Sequence, residues 1–207
     1  IGFVFCADSE RYVSMVSSNA GIIPDYAYGR QNGDEAPACG AVQESKPHRV
    51  GVFVDDMPQN IVTRIYNYNL DYVQLHGSET AVMIDNLRRT VDPDIRPGLK
   101  IIKALSIRSE QDVKRWREYE GHADMLLFDT KGCKAGGNGE HFDWTLLDVY
   151  HGNIPFLLSG GISVDDADSI RAIRHPMFAG VDLNSRFEVR PGLKDVALLR
   201  EFIRKLE

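Results

Sequence analysis

The chain is poor in cysteine, in basic charge and in long apolar runs, and each shortage removes a class of explanation. Only 3 cysteines occur in 207 residues, Cys6, Cys39 and Cys133, an odd count at wide spacing. That pattern fits neither a disulfide framework nor a zinc site and points to a reducing compartment. No His, Cys or carboxylate cluster has the spacing of a metal-ligand set, so no metal is expected. Basic residues number 24 against 30 acidic ones, a formal net charge of -6. Nucleic acid and anionic membrane surfaces are therefore not expected partners, while a local pocket for a small anion is compatible with that balance. No stretch approaches the roughly 20 apolar residues of a membrane span. Nor does a basic leader with a longer apolar core mark a targeting segment; the chain opens with Ile1 inside what reads as a strand. What is present, 43% hydrophobic and 26% charged residues, is ordinary globular composition at a length that suits one domain, 1–207.

Seven apolar runs of strand length recur, at 1–5, 50–54, 72–75, 100–105, 125–128, 155–158 and 178–181. Several are apolar throughout, the mark of parallel strands covered on both faces. Between them lie residues with helical period: Ile61, Ile65 and Tyr66; Val82 and Leu87; Val113, Trp116 and Tyr119; Ala167, Ile170 and Ile173; Leu198, Leu199, Phe202 and Ile203. Asp56 with Pro58 suits a helix cap and first turn, and Ser163 with Asp166 resembles a capping box. The runs start 22 to 30 residues apart, one strand and crossover helix each, except for a first gap of 48 that contains a Gly- and Pro-rich loop insertion at 20–47. Such α/β units without a dinucleotide fingerprint leave two architectures, an open doubly wound sheet or a closed (β/α)8 TIM barrel. The regular spacing and the glycine-rich turns after the last two runs favour the barrel, although a barrel needs eight strands.

Polar chemistry gathers where the runs end. Phe156-Leu157-Leu158-Ser159-Gly160-Gly161 reads as a strand entering an anion cradle, because glycine lets backbone N–H groups approach a phosphate and a following helix start adds donors. A tight turn alone would also explain paired glycines. The next unit places Asp182, Asn184, Ser185 and Arg186 directly after its strand, where barrels commonly hold phosphate, with Arg186 either reaching it or lying on the surface. Met125-Leu126-Leu127-Phe128 ends abruptly in Asp129. A carboxyl buried at a barrel mouth favours its protonated form, the form general acid work needs, whereas a turn-capping aspartate is the plainer alternative. Gly136-Gly137-Asn138-Gly139 then reads as a lid or a connector. Arg11 suits a carboxylate and His76 suits a hydrogen bond at the mouth, though either alone is more often structural.

In order along the chain, the blocks Gly2-Phe3-Val4-Phe5 with Ser9-Glu10-Arg11-Tyr12-Val13, Val73-Gln74-Leu75-His76-Gly77, Lys103-Ala104-Leu105, Phe128-Asp129-Thr130, Ser159-Gly160-Gly161-Ile162 and Gly180-Val181-Asp182 resemble the phosphoribosylanthranilate isomerase family of tryptophan biosynthesis. The resemblance implies a TIM barrel of which these residues supply strands two to eight, the first β/α unit being absent. It implies a cytoplasmic enzyme, monomer or homodimer, acting without a cofactor on a phosphosugar that carries anthranilate. The reaction implied is the Amadori rearrangement of N-(5-phosphoribosyl)anthranilate to 1-(2-carboxyphenylamino)-1-deoxyribulose 5-phosphate. Asp129 matches the general acid, Arg11 the anthranilate-side arginine, His76 and Asp182 mouth positions, and Gly160, Gly161, Asn184 and Ser185 the phosphate loops. The family's basic cysteine, in a Lys-x-Cys-Gly segment of the first strand, has no match here, so no base is assigned and these residues alone are expected to lack full activity. Arg186 stands where the family has glycine. A different phosphosugar barrel enzyme, such as indole-glycerol-phosphate synthase, fits the blocks less well, and a non-catalytic phosphosugar-binding barrel is the remaining alternative.

Overall fold

A computed structural model describes residues 1–13, 47–129 and 144–207. Expectations for Cys39, Cys133, the Gly136–Gly139 loop and nearly all of the 20–47 insertion lie outside those residues. Each of the seven apolar runs forms a strand: β1 Gly2–Val4, β2 Val50–Phe53, β3 Tyr72–Leu75, β4 Lys100–Ser106, β5 Met125–Asp129, β6 Phe156–Ser159 and β7 Phe178–Val181. They make one parallel sheet in which every strand lies beside its neighbour in sequence. A doubly wound sheet reverses its strand order at a switch point. This order never reverses, which excludes that alternative.

Among the described residues five α-helices follow strands: α1 Pro58–Tyr68, α2 Ala81–Val91, α3 Glu110–Lys114, α4 Ala167–Ala172 and α5 Val196–Leu206. A short antiparallel hairpin, β8 Glu188–Arg190 with β9 Leu193–Lys194, precedes α5. Strand side chains alternate between two faces. On one face Phe53, Val73, Leu75, Ile101, Leu126, Phe128 and Phe156 pack with helix residues such as Ile61, Ile65, Ile84, Leu87 and Phe202. Burying each such side chain contributes roughly 1.5–3 kcal/mol relative to exposure. On the other face a smaller cluster, Ile102, Ala104 and Leu127 with Val50, Tyr72, Met125 and Leu157, contains strand residues only. The sheet curls round this inner cluster as an α/β half-barrel with its helices outside.

Helix phase corrects three of the sequence expectations. Tyr66, Val82 and Ile203 are 65%, 67% and 52% exposed. At about 100° per residue the apolar stripes instead run through Ile61, Ile65 and Tyr68 on α1, through Ile84, Leu87 and Val91 on α2, and through Phe202 on α5. Asp56 does not cap α1 either. Met57 is the cap residue and Pro58 opens the helix, while Asp56 Oδ1 accepts hydrogen bonds from Met57 N and Asn60 Nδ2, both at 2.8 Å. The Ser163–Asp166 capping box does form: Asp166 Oδ2 accepts from Ser163 N at 2.7 Å and from Ser163 Oγ at 2.9 Å.

Candidate active site

The site is built where inner-face residues run off the C-terminal ends of the strands. Asp129 closes β5 and sits in register with Ser159, which closes β6. Phe156 pairs with Phe178, but Leu157 pairs with Gly180, so Ala179 is an extra residue in β7. Gly180 takes φ 147°, open to glycine, and the bulge turns the end of β7 inward. Asp182 then comes opposite Ser159: its N–H donates to Leu158 O at 2.7 Å, and Ser159 Oγ donates to Asp182 Oδ2 at 3.0 Å.

His76 reaches the same place from β3. Its backbone N–H donates to Phe53 O at 2.8 Å, Nε2 lies 3.0 Å from Asp129 Oδ2, and Nδ1 lies 3.1 Å from Gln74 Nε2. Gln74, His76, Asp129, Ser159 and Asp182 thus line the end of the inner face. Asp129 and Ser159 are each 8% exposed and Gln74 is 7% exposed. Burial pushes the Asp182 carboxyl above the usual carboxylate range; the Ser159 hydroxyl, Lys194 and His76 oppose the shift and Asp129 adds to it.

The peptides flanking His76 are fixed from behind. Lys103 Nζ, within a residue only 1% exposed, donates to Leu75 O at 3.2 Å, Gly77 O at 2.6 Å and Glu79 Oε2 at 2.9 Å. Glu79 also accepts from Asp55 N and Gly77 N, both at 2.9 Å. Burial lowers the Lys103 pKa while its bond to Glu79 raises it. Gly77 permits this closeness, since a Cβ there would lie 2.5 Å from Asp55 Oδ1.

Two loops lie beside the row. Gly160 and Gly161 take φ of 102° and 68°, left-handed values that favour glycine. The helix expected behind them starts as a 3₁₀ turn, Val164–Asp166, followed by only the six residues of α4, so the run does not open directly into the helix N-terminus that the sequence suggested. After β7, Asn184 Oδ1 accepts from Lys194 Nζ at 2.9 Å, and exposed Ser185 and Arg186 open a 3₁₀ turn to Phe187.

Arg11, in the turn after β1, is not bonded to the His76 row. Its Nε donates to Glu188 Oε1 and Oε2 at 3.0 and 2.9 Å, and its Nη2 donates to Oε2. Lys194 Nζ also reaches Glu188, at 3.1 Å. Arg11, with Lys194, holds the Glu188 carboxyl down at about 2. Asp182 lies within electrostatic reach of Arg11 and helps raise its pKa, after the larger effect of Glu188. Gln74, Ser159, Glu188 and Lys194 were not among the site residues expected from sequence. The polar Gln74 within an otherwise apolar run was the one signal available. Among the described residues no group of His, Cys, Asp and Glu is arranged to hold a metal, and Cys6 is a half-buried free thiol.

Comparison with known proteins places this geometry in a family. The family model of N-(5'phosphoribosyl)anthranilate (PRA) isomerase matches residues 10–205. A Parabacteroides distasonis N-(5'-phosphoribosyl)anthranilate isomerase is 40% identical over 206 residues, covering 100% of this chain and 82% of the relative. A crystal structure of phosphoribosyl anthranilate isomerase with reduced 1-(o-carboxyphenylamino)-1-deoxyribulose 5-phosphate is 28% identical, with TM-score 0.66 over 99% of this chain and 85% of that one. The Thermotoga maritima dimeric isomerase, solved as generated monomers, is also 28% identical, with TM-score 0.63 over the same shares. The chain belongs to the N-(5'-phosphoribosyl)anthranilate isomerase family.

Proposed function

We propose that the protein is the isomerase of tryptophan biosynthesis that converts N-(5'-phosphoribosyl)anthranilate to 1-(2-carboxyphenylamino)-1-deoxyribulose 5-phosphate by an Amadori rearrangement, and that Asp129 is its general acid. The observation that carries the acid's place is the 3.0 Å approach of His76 Nε2 to a nearly buried Asp129 at the end of β5, beside the Gly160-Gly161 turn. Asp129 gives its proton to the furanose ring oxygen as the C1′–O bond breaks and the anthranilate nitrogen lone pair forms C=N. Removal of the C2′ proton by a base then gives the enolamine, which tautomerises to the ketone. Each step moves protons between the protein and a single substrate, with no external oxidant or reductant, so the reading includes no cofactor.

The remaining residues divide by charge. Gly160 and Gly161 offer backbone N–H groups after β6, and Asn184 and Ser185 follow the neighbouring strand β7, so this side takes the phosphate. Arg11 takes the anthranilate carboxylate, and His76 and Asp182 orient the sugar. No general base is assigned. In this reading the seven strands are strands two to eight of a TIM barrel, one domain spans 1–207 with 20–47 as a loop insertion, and the protein works in the cytoplasm as a monomer or homodimer. No helix among the described residues is long and apolar enough to cross a membrane. Incubating the protein with freshly prepared N-(5'-phosphoribosyl)anthranilate tests the reading. An isomer of unchanged mass that borohydride reduces as a ketone is expected; unaltered substrate, or loss of the carboxyl as carbon dioxide, overturns it.

A further inference from the structure

We infer that Gln74 is a positioning residue that locks His76 as the neutral imidazole protonated on Nε2, so that His76 serves Asp129 only as a hydrogen-bond donor. Two contacts fix the assignment from opposite sides of one ring. Gln74 presents its amide nitrogen 3.1 Å from His76 Nδ1, and an amide NH2 carries only donor hydrogens, so Nδ1 accepts. The single proton of a neutral imidazole then sits on Nε2, which points at Asp129 Oδ2 from 3.0 Å. In the other tautomer, N–H would face N–H at Gln74, and the Nε2 lone pair would face a carboxylate oxygen. The imidazolium suffers the first of these conflicts.

The surroundings hold both partners still. Gln74 lies within β3, between Val52 of β2 and Ile102 of β4 in register, and is 7% exposed. The backbone from Leu75 to Gly77 carries three hydrogen bonds to Lys103 and Glu79, at Leu75 O, Gly77 N and Gly77 O, so the segment holding the ring cannot shift without breaking them. Among the described residues the charged groups facing the imidazole are Asp129 from β5 and Asp182 after β7, with the Lys103 ammonium behind its backbone. Both carboxylates attract a second proton on the ring, and Gln74 is the group whose hydrogens oppose it at Nδ1.

The inference rests on the reading of Asp129 as the acid only for its consequence. Once Asp129 has delivered its proton, a fixed Nε2–H bonds the carboxylate left behind; an imidazole with a free lone pair there would instead draw the proton to itself. The tautomer itself is a property of the substrate-free protein and is read without turnover.

The test is 15N-labelled histidine with two-bond 1H–15N correlation spectra of the substrate-free protein near pH 7, the His76 signals being assigned from a His76→Gln variant. Wild type is expected to show a bare Nδ1 and a protonated Nε2. Gln74→Glu, which places an acceptor at Nδ1, is expected to protonate Nδ1 and to lower kcat by about tenfold to a hundredfold, the weight of one charge-assisted hydrogen bond, with KM changed less than threefold or so. Gln74→Met keeps the volume and is expected to give mixed tautomers with a smaller loss. A wild-type His76 protonated on Nδ1, or a Gln74→Glu protein whose tautomer is unchanged, overturns the inference. Either result stands apart from the role of Asp129, which is tested by its own variant.

Discussion

Arg11 and Glu188 lie 177 residues apart in sequence and meet as a forked ion pair, Nε reaching both carboxylate oxygens at 3.0 and 2.9 Å with Nη2 donating to Oε2. The Glu188 side chain is 3% exposed, so solvent screens little of this attraction. The pair ties the turn after β1 to the hairpin after β7, and so holds an arginine assigned to the substrate's carboxylate.

The first prediction concerns acid stability. Glu188 has a folded-state pKa of about 2 against 4.5 for an ordinary glutamate, lowered first by Arg11 and then by Lys194. A depressed carboxylate stabilises the fold above its unfolded pKa and loses that contribution as pH falls through the folded value. Glu188→Gln is expected to be less stable than wild type by up to about 3 kcal/mol at neutral pH, with the gap closing between roughly pH 4.5 and 2. Urea unfolding across that range measures it; a gap that does not change with pH contradicts the assignment.

The buried Lys103–Glu79 pair predicts a non-additive cycle. Removing one partner leaves a charge without compensation, so Lys103→Met and Glu79→Gln are each expected to cost about 3–5 kcal/mol. The double variant is expected to cost well under the sum of the two, as denaturant midpoints of all four proteins will show. Additive losses would mean that the two groups do not stabilise one another.

Gly161 at φ 68° predicts a split between binding and turnover. A Cβ added there meets nothing within 4 Å, so the cost of Gly161→Ala is backbone strain, about 1–2 kcal/mol. The strain displaces the N–H groups assigned to the phosphate. KM for the phosphorylated substrate is expected to rise about tenfold with kcat changed far less, and inhibition by inorganic phosphate should weaken in parallel. An unchanged KM removes the phosphate from this turn.

Strand identity was legible because burial on both faces demands apolar runs, and each of the seven runs became a strand ending within a residue or two of the expected place. Asp129 and His76 were legible for the related reason that a polar residue at the end of such a run has no place in either core. Their partners were not. Nothing local in Glu188 announces Arg11, and the pairing of Ser159 with Asp182 depends on the one-residue bulge at Ala179, invisible in periodicity. Gln74 could be singled out as polar in an apolar strand, but its use required knowing that it faces the inner side two residues before His76. Helix faces were misread at Tyr66, Val82 and Ile203 because apolar type alone does not fix phase at 100° per residue.

The measurement that bears most directly on the account is turnover of Asp129→Asn in the otherwise intact protein, paired with binding of the reduced product analogue. The substitution keeps shape and removes the transferable proton. The account predicts that kcat falls by at least about 100-fold while the analogue's Kd stays within about tenfold of wild type. Turnover within a few-fold of wild type would show that the ring-opening proton comes from elsewhere.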